Sequence, residues 1–530
     1  MNNEQYKSLT VKEFTKAAEI YDSDNAGIYE MCKDDYPPIL EELEKVEFER
    51  LLDVGCGTGP MIELLSSRYP ERHFVGMDIT PRMIEVANEK GLANSEFIVG
   101  DSEAMPFDDE EFDAVICANS FHHYPEPQKF FNEVFRVLKP GGRLILRDYT
   151  TQKHVLWLMN HIEMPLANMA GHGDVRAYTK DQVLDMLINA GLKPIKLESQ
   201  AKFRLHAVVE KPKEQTSLPK RTIPTPKAAV GTNSWGSKAY GKVLRGTSAD
   251  EQTLKETAQT ACSLGLDVFD TARDYGFGLG EKLIGKLCPK EAVISAKFTP
   301  VKKYEKGQVR RSFEKDLIDM GREYIDIYWL HLPNSIKQNL EEIISLYKEG
   351  RIGNIGVSNF SLDECKRAKA ILDSEGIPLY GVQNHYSIIA RDWEKNGLID
   401  WCRENGIQFW AWAVLEEGLL VPPKKGDRLS AMKLIYADKQ KRLLPLYKKM
   451  YVIGKRHGLS PAQVAMSFCS SKGLVPVCGC RRAYQAEQLA QAVSVALSDE
   501  EISELETEAD STGVKILGAD MFRFAVKKNS

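Results

Sequence analysis

The chain has 530 residues, 43% of them hydrophobic and 27% charged, with a formal net charge of -5. That length exceeds one hydrophobic core and predicts several domains. The charge balance, with no basic block against the acidic background, excludes a phosphate-tracking nucleic-acid surface. No window approaches the roughly 18 consecutive apolar residues of a membrane span, and the polar start from Met1 to Phe14 has no apolar signal core. A soluble cytoplasmic protein with no membrane partner is expected. The 10 cysteines are scattered, and the one close pair, Cys478-Gly-Cys480, lacks metal-site spacing. Reduced core thiols and no metal are expected.

Residues 5–48 read as helices with mixed faces. Arg50 to Val54 then runs as an apolar strand into the glycine-rich turn Gly55-Cys56-Gly57-Thr58-Gly59, and a helical pattern resumes at Met61. Such a turn lets backbone approach a ligand, and the helix N-terminus behind it favours polar or anionic groups. A second strand, His73 to Met77, ends in Asp78, 25 residues beyond Asp53. At that spacing a carboxylate can accept both hydroxyls of a ribose. A third strand, Phe97 to Gly100, delivers Asp101 and Ser102, and a fourth, Phe112 to Ala118, delivers Asn119 and Ser120 ahead of Phe121-His122-His123-Tyr124. A histidine beside Asn119 has the chemistry to take a proton from a hydroxyl acceptor at neutral pH. Lining the pocket is the default expectation for both His122 and His123.

The stretches LLDVGCGTGP, VGMDITPRMIEVA, VGDSEAMPF, FDAVICANSFHHYP and VFRVLKPGGRLILRDY, in that order, carry a resemblance. Residues 1–209 resemble a class I S-adenosylmethionine-dependent methyltransferase of the small-molecule type. The resemblance implies an α/β unit with a doubly wound, Rossmann-like sheet. It further implies that Gly55, Gly57 and Gly59 cradle the methionine part of the donor, Asp78 the ribose, Asp101 with Ser102 the adenine, and that Asn119 lies near the donor methyl. A closing hairpin, Lys193 to Leu197 and Arg204 to Val209, is expected after a helix capped at Thr179 with Gln182 in the reciprocal position. No Asn-Pro-Pro-Tyr type motif is present, so amide or adenine nitrogen is not the obvious acceptor.

From Glu210 to Pro226 the chain is charged, rich in proline and without apolar periodicity, which predicts an extended linker. The expected borders are 1–209, 210–221 and 222–530, with the division near residue 215.

From Ala228 onward short apolar strands alternate with helical patterns. The strands are Ala228 to Thr232, Leu266 to Asp270, Ala292 to Lys297, Tyr324 to His331, Asn354 to Ser358, Leu379 to Gln383, Ile407 to Trp412 and Leu474 to Gly479. Eight such units fit a (β/α)8 TIM barrel. Asp270, Lys297, His331, Ser358, Asn359 and Gln383 all fall at strand C-terminal ends, the face on which barrels build active sites. Tyr275 follows Asp270 by five positions. Its hydroxyl can protonate a nascent alkoxide if a neighbouring ammonium, Lys297, lowers its pKa, and Asp270 would keep that lysine charged. His331 can donate to a carbonyl oxygen. Hydride must come from a nicotinamide.

VFDTARDYG, ISAKF, YWLHLP, GRIGNIGVSNF, VQNHYS, IQFWAWAVLEEGLL and VCGCRRAYQAEQ make residues 222–525 similar to the aldo-keto reductases throughout. The resemblance implies that Asp270, Tyr275, Lys297 and His331 form a catalytic tetrad and that Ser358, Asn359 and Gln383 hold the nicotinamide carboxamide. Trp412 would stack beneath the ring, although Ala413 and Val414 replace the usual Ser and Pro. Arg481 and Gln485 match the adenosine-phosphate site, where Gln488 and Leu489 replace the usual Glu-Asn pair. NADP(H) is the expected cofactor, with NAD(H) open. Glu416 to Lys441 is expected to be a mobile loop over it, and Ser498 with Glu501 to cap a last helix.

The expectation is a bifunctional enzyme, a methyltransferase joined to a carbonyl reductase, acting on small molecules. Two alternatives stand beside it. In one, only the reductase turns over and the front domain is a docking module; in the other, the barrel reads nicotinamide state as a redox sensor.

Overall fold

The computed structural model describes residues 1–21, 33–213, 223–235, 249–276, 278–301, 303–423 and 437–516. The chain divides into two compact units, Met1–Thr216 and Ser217–Ser530. Residues 214–222 of the expected linker and 424–436 of the expected loop lie outside the described residues.

The first unit is a seven-stranded sheet in the order β3-β2-β1-β4-β5-β7-β6. Its strands are β1 (Arg50–Val54), β2 (His73–Asp78), β3 (Ser95–Val99), β4 (Phe112–Ala118), β5 (Leu138–Tyr149), β6 (Lys193–Gln200) and β7 (Arg204–Glu210). β1 to β5 are parallel, whereas β7 runs antiparallel to β5 and β6. β1 and β4 are therefore neighbours at the point where the strand order reverses, and a crevice opens beyond their carboxyl ends. Helices cover both faces. Pro127–Val137 buries Phe130, Phe131, Val134 and Val137 at helical spacing, and Phe121 and Tyr178 pack with them. The helix Lys180–Asn189 carries the expected reciprocal cap from Thr179 and Gln182.

The second unit is a closed barrel. Its eight strands are β8 (Ala229–Gly231), β9 (Val268–Asp270), β10 (Val293–Phe298), β11 (Ile325–Leu330), β12 (Ile352–Ser358), β13 (Leu379–His385), β14 (Gln408–Trp412) and β15 (Val475–Gly479). All are parallel. The interior is packed solid by two fully buried indoles, Trp329 and Trp410, whose rings meet edge-on at 5.2 Å. Gly356 makes the room, because a Cβ there would stand 2.2 Å from Trp329 Cε3. The last helix, Asp499–Ser511, starts on the expected Ser498 and Glu501 cap. The described cysteines are all free thiols. Among the described residues no helix is long and apolar enough to cross a membrane.

Candidate active sites

In the barrel, chain geometry gathers the polar residues at one end. Asp270 is the last residue of β9 and pairs in register with Ser295 of β10, two positions before Lys297. That register sets Lys297 Nζ 2.5 Å from Asp270 Oδ2 and 2.9 Å from the carbonyl oxygen of Thr271. Lys297 is wholly buried, and burial pulls its pKa down while Asp270 opposes the loss of its proton. The ammonium lies 5.2 Å from the centre of the Tyr275 ring.

His331, just past β11, has Nδ1 2.7 Å from Thr299 Oγ1. Burial, then the charge of Lys297, push its pKa down to about 3, so the ring is neutral near pH 7. In the tautomer that accepts from the Thr299 hydroxyl at Nδ1, the ring proton sits on Nε2, from which it can donate to a carbonyl oxygen. The four positions expected to form the tetrad thus lie at one end of the barrel.

Sequence reasoning missed Ser295. Its hydroxyl donates to Asp270 Oδ1 at 2.7 Å and accepts from Trp329 Nε1 at 2.7 Å. Gln383 Nε2 donates to the same Asp270 Oδ1 at 2.9 Å. The interior packing and the acid are therefore one connected network, which no linear motif could reveal.

Ser358, Asn359 and Gln383 interlock. Ser358 Oγ donates to the carbonyl of Gln383 at 2.7 Å, and Asn359 Nδ2 donates to the carbonyl of His331 at 3.1 Å and to Ser358 Oγ at 3.2 Å. Asn359 holds φ at 61°, a conformation that asparagine tolerates better than most residues. Asn359 Oδ1 and Gln383 Oε1 accept none of the hydrogen bonds described, so a set of amide acceptors fit for a carboxamide remains. Trp412 ends β14 and packs 4.8 Å from the ring of His385, which pairs through Nε2 with Glu416 at 3.0 Å. After it Ala413, Glu416 and Glu417 have φ of 59°, 48° and 54°. The substituted loop is thus strained and anchored by Glu416, which also accepts from Ser387. Arg481 follows β15, and Gln485 Oε1 accepts its backbone N–H at 2.8 Å. Leu489 faces the core, so it does not replace the polar group that the resemblance places there.

In the first unit a solvent-open cleft of about 660 Å³ is lined by Gly55, Gly57, Asp78, Asp101, Ser102 and Asn119, among others. Gly55 and Gly57 have φ of 76° and 56°, and a Cβ on Gly55 would stand 2.4 Å from the side chain of Ser120. Asp78 Oδ2 accepts from Gly57 N at 3.0 Å and Oδ1 from Thr80 N at 2.8 Å. Each oxygen keeps a lone pair for a ribose hydroxyl. Backbone cradle and carboxylate therefore fit an adenosyl donor.

Gly59, expected in that cradle, is not among the lining residues. It begins the helix Pro60–Arg68, and a Cβ there would stand 2.6 Å from Phe97 Cε1, so its glycine serves close helix–sheet packing. The sequence also missed the cover. Helix α1 (Asn3–Ala17) contributes Lys7, Thr10 and Phe14, and Tyr21 follows. Lys7 Nζ bonds Asp101 Oδ2 at 2.6 Å and Glu103 Oε2 at 2.7 Å, so Asp101 is partly neutralised before any ligand arrives. His123 lines the cleft, whereas His122 turns away to Asp148.

Comparison with known proteins finds both halves. Residues 228–509 match the aldo/keto reductase family and residues 52–146 a methyltransferase domain. A probable aldo-keto reductase 1 of Glycine max is 30% identical over 280 residues, 48% of this chain and 79% of that protein. Pyridoxal reductase, chloroplastic, of Arabidopsis thaliana is 26% identical over 298 residues, 52% and 81% of the two chains. Demethylmenaquinone methyltransferase of Thermotoga maritima is 31% identical over 172 residues, 29% of this chain and 74% of that one.

Proposed function

Because the chain belongs to the aldo/keto reductase family through residues 228–509 and holds a methyltransferase domain at residues 52–146, we propose that it is a bifunctional enzyme. It reduces an aldehyde or ketone at the barrel and methylates a small molecule in the front cleft. The family works with NADP(H), and the methyltransferase domain implies S-adenosylmethionine.

The observation that carries the reduction is the buried Lys297 ammonium, held against Asp270 and facing the ring of Tyr275. The Tyr275 hydroxyl gives its proton to the oxygen of the reacting carbonyl, and the cation beside its ring stabilises the phenolate left behind. Neutral His331 donates to that oxygen from Nε2 and orients the substrate. Ser358, Asn359 and Gln383 would hold the nicotinamide carboxamide, Trp412 would lie under the ring, and Arg481 with Gln485 would meet the adenosine phosphate. When bound, the nicotinamide supplies the hydride that no side chain can.

In the front cleft Gly55 and Gly57 would cradle the methionine part, Asp78 the ribose, and Asp101 with Ser102 the adenine. Asn119, which lines the same cleft, would lie near the donor methyl. When bound, the donor supplies an electrophilic methyl group, and the chain's part is to hold the two reactants in line and exclude water.

We place the domain border near residue 215, within the charged, proline-containing stretch. Tyr275→Phe should abolish reduction and spare methyl transfer, and Asp78→Ala should do the reverse. Metabolite profiling with purified protein and both cofactors tests the whole reading: compounds should gain two hydrogens, a methyl, or both. No such gain across a broad extract would refute it.

A further inference from the structure

Three side chains that neither site uses converge beside the front cleft. His122 and His123 stand in the short turn after β4, Phe121–His123, and Asp174 comes from a loop between β5 and β6. One ligand-capable atom of each lies within 4.8 Å of the others. His122 Nε2 and His123 Nδ1 are each 3.6 Å from Asp174 Oδ1. That separation is too long for a hydrogen bond. It is the distance expected between two ligands of one ion, since bonds of about 2.0–2.2 Å at tetrahedral to trigonal angles set ligand atoms roughly 3.4–3.6 Å apart. Among the described residues the Asp174 carboxylate makes no hydrogen bond.

The surroundings are those a ligand set needs. His122 Nδ1 lies 2.9 Å from Asp148 Oδ1, and Asp148 is 1% exposed. A carboxylate behind the imidazole fixes the ring and leaves Nε2 with its lone pair outward. His123 Nδ1 donates to the carbonyl oxygen of Gly173 at 3.1 Å, a proton that an incoming ion displaces. The loop is also held in place. Val175 N and Arg176 N each donate to the His122 carbonyl at 3.0 Å, and Gly173 N donates to Glu13 Oε2 at 2.8 Å. Thr10 Oγ1, on the helix that covers the cleft, donates to Gly173 O at 3.2 Å.

We propose that His122, His123 and Asp174 form a binding site for a divalent transition-metal ion in the wall of the front cleft. Two imidazoles with a carboxylate suit zinc and its first-row neighbours better than magnesium or calcium, which take all-oxygen sets. The ion joins the turn after β4 to the loop that fastens α1, so metal binding and closure of the cleft are linked. Sequence spacing could not show this, because adjacent histidines do not fit a helical ligand pair and the third ligand comes 51 positions after His123.

The test uses the full chain, stripped with a chelator and titrated with Co(II), followed by its d–d absorption, and with Zn(II) by calorimetry. Low-coordinate cobalt bands saturating at one ion per chain are expected. Asp174→Asn and His123→Gln should each weaken binding at least about tenfold, and Asp148→Asn by about 10- to 100-fold, with far-UV circular dichroism unchanged. No binding at millimolar metal, or undiminished binding in Asp174→Asn, overturns the site. The link to closure rests on the reading of the cleft as a donor site. Donor heat measured with and without Zn(II) separates the two: heat unaffected by the metal sinks the link alone, and no heat under either condition sinks the donor reading while the cobalt spectrum still decides the metal site.

Discussion

The ammonium of Lys297 and the carboxylate of Asp270 are 2.5 Å apart with side chains 0% and 3% exposed. A lone buried ammonium sheds its proton, because desolvation disfavours the charged form. Here desolvation does lower the pKa of Lys297, and Asp270 is the first group opposing it. Asp270→Asn should therefore loosen the hold on the Lys297 proton and weaken the positive charge beside the Tyr275 ring. Reduction should fall at least about a hundredfold, and Lys297→Met should match it. NADPH binding, followed by quenching of protein fluorescence, should hardly change. Near wild-type turnover in Lys297→Met would remove the lysine from the mechanism.

Ser295 tests whether the interior packing orients the acid. Its hydroxyl serves Asp270 Oδ1 and the buried Trp329 N–H together, so Ser295→Ala orphans one donor and takes another from Asp270. The cost should be about 1–3 kcal/mol in urea unfolding. If Ser295 also positions Asp270, kcat should drop several-fold with KM for the carbonyl nearly constant, and Ser295→Thr should restore part of it. A stability loss with kcat intact would make the residue structural only.

The sequence made most of the framework visible because its signals are local. Short apolar runs marked all eight barrel strands, six of them ending in a polar residue, and the observed ends differ by a few residues: the strand expected from Leu266 starts at Val268 and that expected from Asn354 starts at Ile352. The four residues proposed as the tetrad could be picked out since each sits at a strand end or in the loop just beyond it. What escaped depends on contacts between distant segments: Ser295 under Asp270, Lys7 on Asp101, and His385 against Glu416. Gly59 lies in the motif but packs on Phe97, because a glycine needed for close helix packing and one needed for a ligand look alike in one sequence.

His331 gives a pH signature with a definite sign. Its ordinary pKa of 6.5 falls to about 3 in the fold, so between those values the unfolded chain binds more protons. Stability then rises with pH across that window. The contribution is complete above about 6.5 and is lost as pH falls toward 3. Urea midpoints of the wild type should decline more steeply between pH 6.5 and 4 than those of His331→Asn. Reduction should show no acid limb near pH 6.5 from this residue, and a limb there that vanished in His331→Asn would contradict a neutral, buried ring.

Cofactor choice turns on Arg481. It follows β15, the last barrel strand, where barrels often hold phosphate, and its backbone is pinned by Gln485 at the start of the helix Ala483–Val493. A guanidinium there can make a bidentate contact with the 2′-phosphate that only NADP(H) carries. A hydrogen bond to a charged group is worth about 1.5–3 kcal/mol, so Arg481 should bias kcat/KM toward NADPH by about ten- to a hundredfold. Leu489 faces the core and offers the adenosine no polar partner, and exposed Arg482 next in sequence can share the charge; both pull the bias toward the lower figure. The check is Arg481→Ala assayed with NADPH and NADH, alone and with Arg482→Ala. NADPH efficiency should fall by that factor while NADH changes little, and the double variant should lose what remains of the preference. An equal loss with both cofactors would mean that Arg481 holds the turn after β15 rather than the phosphate.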